Sequence, residues 1–122
     1  MQSRRMTFWV LVLAIVLAGA VHASSEDKFG VPVYPGAIFD SDVTNILKRA
    51  SREAAGYRTH DSITKVVGFY KRQAGMALLD SNAEAALFIK GNVTVTIQNP
   101  WLDRRSMRIV KGTLISIRRH TN

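Results

Sequence analysis

The amino-acid sequence predicts an α+β domain: two short helices packed on one face of an antiparallel sheet of about four strands. Two observations carry this. Apolar residues recur at helical spacing in the first half of the chain and at alternate positions in the second. Helices grouped before strands, rather than alternating with them, favour an antiparallel sheet with its helices on one side.

Taken in order, Ser24 to Phe29 is polar and is expected to form a loose arm. In "VPVYPGA", Pro32 and Pro35 flank Val33 and Tyr34, which suits a short extended segment ending in a Pro35-Gly36 turn. The stretch "DSDVTNILKRASREAAG" sets Val43, Ile46, Leu47, Ala50 and Ala54 at helical spacing. Asp40, Ser41 and Asp42 supply caps and negative charge at its start, and Lys48, Arg49 and Arg52 lie toward its end, complementing the helix dipole. Tyr57 to Thr59 reads as a short strand. A second helix is expected from about Ser62 to Ala74, with Ile63, Val66, Val67 and Tyr70 as its apolar stripe and Gly75 at its C-terminal cap. Beyond Gly75 the period changes to two. "MALLD" and "ALFIK" are strands, Gly91-Asn92 is a two-residue hairpin turn, and "VTVTIQ" alternates Val93, Val95 and Ile97 with Thr94, Thr96 and Gln98. "NPWLDRRSMRIVKG" is a polar, basic excursion, and "TLISIRR" is the closing strand.

The N-terminus carries Arg4 and Arg5, an apolar run from Phe8 to Val21, and small residues at Val21-His22-Ala23. This order is that of a secretory signal, and the run is shorter than the ~20 residues a spanning helix needs. The expected organisation is a cleaved signal peptide over 1–23, an arm over 24–40 and a single domain over 41–122, in a periplasmic or secreted protein. Ser3-Arg4-Arg5 has Thr7 where a twin-arginine signal needs a bulky apolar residue. Leu17-Ala18-Gly19-Ala20 has the form of a lipobox with Ala in place of the acylated Cys, so no lipid anchor is expected, nor stable membrane insertion after cleavage.

The chain of 122 residues has no Cys. Thiol catalysis, thiolate metal sites and disulfide stapling are therefore excluded, and the fold must hold by packing. Lys and Arg number 17 against 9 Asp and Glu. With Arg4 and Arg5 removed, the excess is still +6, which favours anionic partners.

Side chains that suggest chemistry are few. His60, Asp61 and Ser62 are the letters of a hydrolase triad, but consecutive side chains diverge, whereas a triad converges from separate elements. Asp61 and Ser62 stand directly before an apolar helical stripe and are read as helix caps. No metal site is expected. Asp40-x-Asp42 begins like a calcium loop, yet Asn45 replaces its Gly and Ser51 its closing Glu. His60 and His120 lack ligand spacing. No cofactor motif of the GxxxxGK, GxSxG or HExxH type occurs. The sequon at Asn92 falls in the expected hairpin turn. The candidate ligand surface is Trp101 with Arg104, Arg105, Arg108 and Lys111, where an aromatic ring among cations can stack on a ligand held by its anionic group. Trp101 reads equally as a core plug that closes the sheet.

The segments "VPVYPGA", "YRTHDSITKVVGFYKRQ" and "VTVTIQNPW" resemble a group of small exported bacterial proteins. These have a Tyr-Pro-Gly-Ala segment, an Asp-Ser-x-x-x-Val-Val-x-Phe-Tyr helix and a strand-rich C-terminal half. The resemblance spans most of residues 30–119. It implies export and no assigned activity, and it brings no catalytic residues. The function expected is a non-enzymatic envelope module that binds an anionic polymer, a lipid headgroup or a partner protein. The alternative is a small phosphodiesterase-like hydrolase with His60 and His120 as acid and base.

Overall fold

The computed structural model of the chain describes residues 26–121. The leader, its cut after Ala23 and the start at Ser24 lie outside them. The chain is α+β. Its main sheet has six strands rather than about four, ordered β3-β4-β10-β7-β6-β5 and antiparallel throughout. These are β3 (Ile38–Phe39), β4 (Glu53–Thr59), β5 (Ala77–Ser81), β6 (Ala85–Lys90), β7 (Val93–Gln98) and β10 (Thr113–Arg119). Two small hairpins complete it, β1 (Asp27–Lys28) with β2 (Val31–Pro32), and β8 (Trp101–Asp103) with β9 (Arg108–Val110). Between β3 and β4 lies α1 (Ser41–Ala50), and between β4 and β5 lies α2 (Ile63–Lys71).

The two helices lie on opposite faces of the sheet, which corrects the expectation of one shared face. Side chains of a strand alternate between faces. Ala55, Tyr57, Phe88, Val95, Ile97, Ile115 and Ile117 form one cluster with Val66 and Tyr70 of α2. The other phase of β10 puts Leu114 with Val43 of α1 and Trp101. Burial along Thr113–Ile117 on both phases is thus the mark of a central strand covered on both sides.

Strand β4 is the largest departure from the sequence reading. The first helix was expected to run through Ala54; it stops at Ala50, and Glu53 to Thr59 pair along the whole of β10. Glycine at 56 lets α1 lie against this strand. A Cβ on Gly56 would sit 2.7 Å from Cγ1 of Val43, so α1 rests directly on the strand backbone. Asp40 caps α1, accepting from the Val43 N–H at 2.9 Å. The Asp40 N–H donates to the Gly56 carbonyl, and the buried Gly56 N–H donates to Oγ1 of Thr44.

The segment expected as an arm supplies Val31, Val33 and Tyr34 to the main core. Its β1–β2 turn places Phe29 and Gly30 at positive φ. Gly91, also at positive φ, sits in the expected turn between β6 and β7. The second helix is shorter than expected at both ends, with Ser62 as its N-cap and Arg72 as its C-cap.

Ser62 Oγ accepts from the Lys65 N–H at 3.3 Å. Asp61 does not share this role, contrary to the reading of both as caps. Its carboxylate accepts the phenol proton of Tyr34 at 2.5 Å. Ser62→Ala is therefore expected to cost about 1 kcal/mol, within the ~0.5–2 range for a lost cap, in a urea melt. Asp61→Ala should act through Tyr34 instead, so Tyr34→Phe should abolish most of its effect while leaving that of Ser62→Ala intact. Equal effects of Asp61→Ala in both backgrounds would contradict the assignment.

Candidate functional site

The basic excursion is a hairpin. In β8–β9, Trp101 pairs with Val110, Leu102 with Ile109 and Asp103 with Arg108. Pairs directly across a ladder point to the same side. Trp101 and Val110 turn inward and pack with Val43, Leu47 and Leu114. Leu102 and Ile109 turn outward, 44% and 67% exposed. Arg104 to Met107 form the tip, where Met107 has a φ of 58° and is 70% exposed. The Met107 N–H donates to the Asp103 carbonyl at 2.7 Å. The Asp103 carboxylate accepts from the Arg105 N–H and from Ser106 Oγ, and these bonds hold its pKa below the usual carboxylate range. The tip is thus internally tied.

Trp101 is 5% exposed. It anchors the hairpin and leaves little ring face for a ligand. Arg104, Arg105, Arg108 and Lys111 are exposed. Arg105 pairs with Asp42 of α1 at 2.8 Å, both side chains being open to solvent, where such pairs contribute little. Among the described residues, Arg104, Arg108 and Lys111 make no ion pair. A groove lined by Arg49, Arg104, Arg105 and Asp42 extends the cationic surface onto α1.

Beside the hairpin base lies a cavity of about 370 Å³, bounded by Ile38, Arg58, His60, Asp61, Trp101 and Lys111 among others. Two of the candidate residues, Trp101 and Lys111, therefore meet there with His60. Arg58 is held by Asp40 at 2.8 Å, and Asp61 by Tyr34. That last bond, with burial adding to it, pushes the Tyr34 pKa up to about 12. Thr113 Oγ1 donates to the Asp61 carbonyl at 2.6 Å.

His60, Asp61 and Ser62 do not converge: His60 borders the cavity, the Asp61 carboxylate at its edge is taken by Tyr34, and Ser62 caps α2. Nor do the two histidines meet. His60 follows Thr59, the partner of Thr113 at the start of β10, and His120 follows Arg119 at its end. Six steps of about 3.3 Å separate those positions. His120 instead lies 3.0 Å from Thr94 Oγ1. An acid–base pair built from both imidazoles has no common substrate position.

Among the described residues, no group of three or more His, Cys, Asp or Glu side chains is placed to hold a metal ion. None of their helices is long and apolar enough to cross a membrane.

No protein-family model, curated protein or solved structure matches the chain.

The sequence reading missed the outward pair Leu102 and Ile109. The signal was present: in "WLD" and "RIV" adjacent apolar residues occupy both strand phases, which one buried face cannot accommodate. Arg49 and Arg58 were also missed as neighbours of the basic hairpin, because only the tertiary fold brings α1 and β4 beside it.

Proposed function

We propose that the chain is an exported, non-enzymatic binding module of the bacterial envelope that engages an anionic component through the β8–β9 hairpin. The observation that carries this is the set of exposed cations Arg104, Arg108 and Lys111, which have no carboxylate partner among the described residues, on a hairpin anchored by Trp101. Unpaired charge on a rigid, projecting element is available to a polyanion at no cost in folding stability. The charged-apolar-small order of the N-terminus supports export. The separation of the two histidines speaks against the hydrolase alternative.

The test is a salt-titrated binding assay against soluble polyphosphate. The parent chain should bind, and its affinity should fall steeply with salt. In the variant Arg104→Gln/Arg105→Gln/Arg108→Gln, the slope of log affinity against log salt should drop by about 2–3, one for each lost contact. The melting temperature should stay within a few degrees of the parent's. A variant that binds with the parent's affinity and salt slope would remove the hairpin from the site.

A further inference from the structure

We propose that the occupant of this hairpin is the surface of an anionic phospholipid bilayer, with Leu102, Met107 and Ile109 entering the boundary between headgroups and acyl chains. The inference rests on the reading of the hairpin as an anion-binding element and adds its ligand.

Charge alone does not separate a soluble polyanion from a lipid surface. The apolar side chains do. Leu102, Met107 and Ile109 are 44%, 70% and 67% exposed, and all belong to one hairpin. They alternate in sequence with Arg104, Arg105, Arg108 and Lys111. A soluble polyphosphate has no apolar phase to receive them. An anionic leaflet offers both layers this composition matches, phosphates for the cations and acyl chains for the apolar side chains.

The geometry suits shallow docking. Leu102 and Ile109 lie on the outward side of the ladder, away from Trp101 and Val110. Met107 stands at the tip, its backbone fixed by the bond to Asp103. The strands are three residues each, or about 10 Å of strand. That reach matches an interfacial contact about 5–10 Å deep and is far short of a bilayer.

The experiment uses the chain as recovered after export, with vesicles of phosphatidylcholine alone or mixed with phosphatidylglycerol, and polyphosphate as the comparison. The parent is compared with Arg104→Gln/Arg108→Gln/Lys111→Gln, with Leu102→Ser/Met107→Ser/Ile109→Ser, and with Met107→Trp. The parent should float with the mixed vesicles and not with the neutral ones. The serine variant should keep polyphosphate binding and lose at least about tenfold in vesicle affinity. The glutamine variant should lose both. In Met107→Trp, a single change at an exposed position, the new indole emission should shift to the blue with mixed vesicles and stay unchanged with polyphosphate. If the parent binds polyphosphate but no vesicle, or the serine variant matches it on vesicles, the bilayer is the wrong occupant and the anion-binding reading stands. Binding to neither probe overturns both. A parent that is dimeric while the serine variant is monomeric would assign the patch to a second copy instead.

Discussion

Trp101→Ala should lower the folding stability of the chain by about 3–5 kcal/mol, the usual cost of truncating a buried Trp. The upper half of that range is expected because of where Trp101 sits. Its cluster is small: Val43, Leu114 and Trp101 are its buried members, with Leu47 and Val110 packed against them. Those neighbours come from α1, β9 and β10, so no single element can relax into the space the indole leaves. The residual cavity therefore persists, and its size sets the additional cost. A domain of this size has roughly 5–15 kcal/mol in total, so the variant should melt far below the parent. A urea titration with an unchanged m-value would read the difference directly. Trp101→Phe, which retains an aromatic ring, should recover part of it. A loss under about 1 kcal/mol would mean that the ring is loosely held, and would return Trp101 to the set of residues open to a ligand.

The strand most fully legible in the sequence is β7, which alternates buried and less buried positions. In "VTVTIQ" the alternation of Val and Ile with Thr and Gln gives the boundaries of β7 directly, because one phase packs on α2 and the other does not. "TLISIRR" gave β10, but its meaning was only half read. Leu114 and Ser116 are buried as well as Ile115 and Ile117, and a strand buried on both phases requires a second covering layer. That layer is α1. An amphipathic helix reveals which of its own faces is apolar, not which side of a sheet it will cover, so the opposed placement of the helices was not readable from either helix alone. The first half of β4 was hidden, only Tyr57 to Thr59 having read as strand. Ala54, Ala55 and Gly56 carry no period-two signal, and alanine is the best helix former, so local preference extended the helix through them. Asp61 was misread for a different reason. Its partner, Tyr34, lies 27 residues earlier, and no local rule distinguishes a capping Asp from one bonded at that distance. At the candidate site, the cations were visible by type and spacing, and the paired apolar phases of "WLD" and "RIV" marked one outward residue in each strand, but which phase faces out depends on the side from which the hairpin is anchored.

Gly56→Val tests whether the packing of α1 on β4 dictates the local sequence. Two effects oppose each other. Valine favours a strand over glycine, with less backbone entropy to lose and higher β propensity, by about 1 kcal/mol. Against this, the first added carbon alone would lie 2.7 Å from Val43 Cγ1, 3.2 Å from Val43 Cβ and 3.5 Å from Leu47 Cδ1. Val43 cannot swing away cheaply, since a β-branched residue in a helix has one strongly preferred rotamer. The helix cannot slide away freely either. The Gly56 carbonyl accepts from Asp40, and its buried N–H donates to Thr44, so lifting α1 breaks a buried hydrogen bond at about 1–3 kcal/mol. Overpacking adds a further ~1–3 kcal/mol. The steric terms exceed the propensity gain, and a net loss of about 2–4 kcal/mol is expected in a urea melt. Gly56→Ala should lose less. The decisive measurement is the double variant Val43→Ala/Gly56→Ala, in which the Val43 Cγ1 that the new methyl would meet at 2.7 Å is gone and only the Cβ contact at 3.2 Å remains. It should be more stable than the sum of the single changes predicts, by ~1–3 kcal/mol of coupling. Additive single changes would mean that Val43 and position 56 do not meet, and that the glycine of β4 is explained by something other than the helix lying on it.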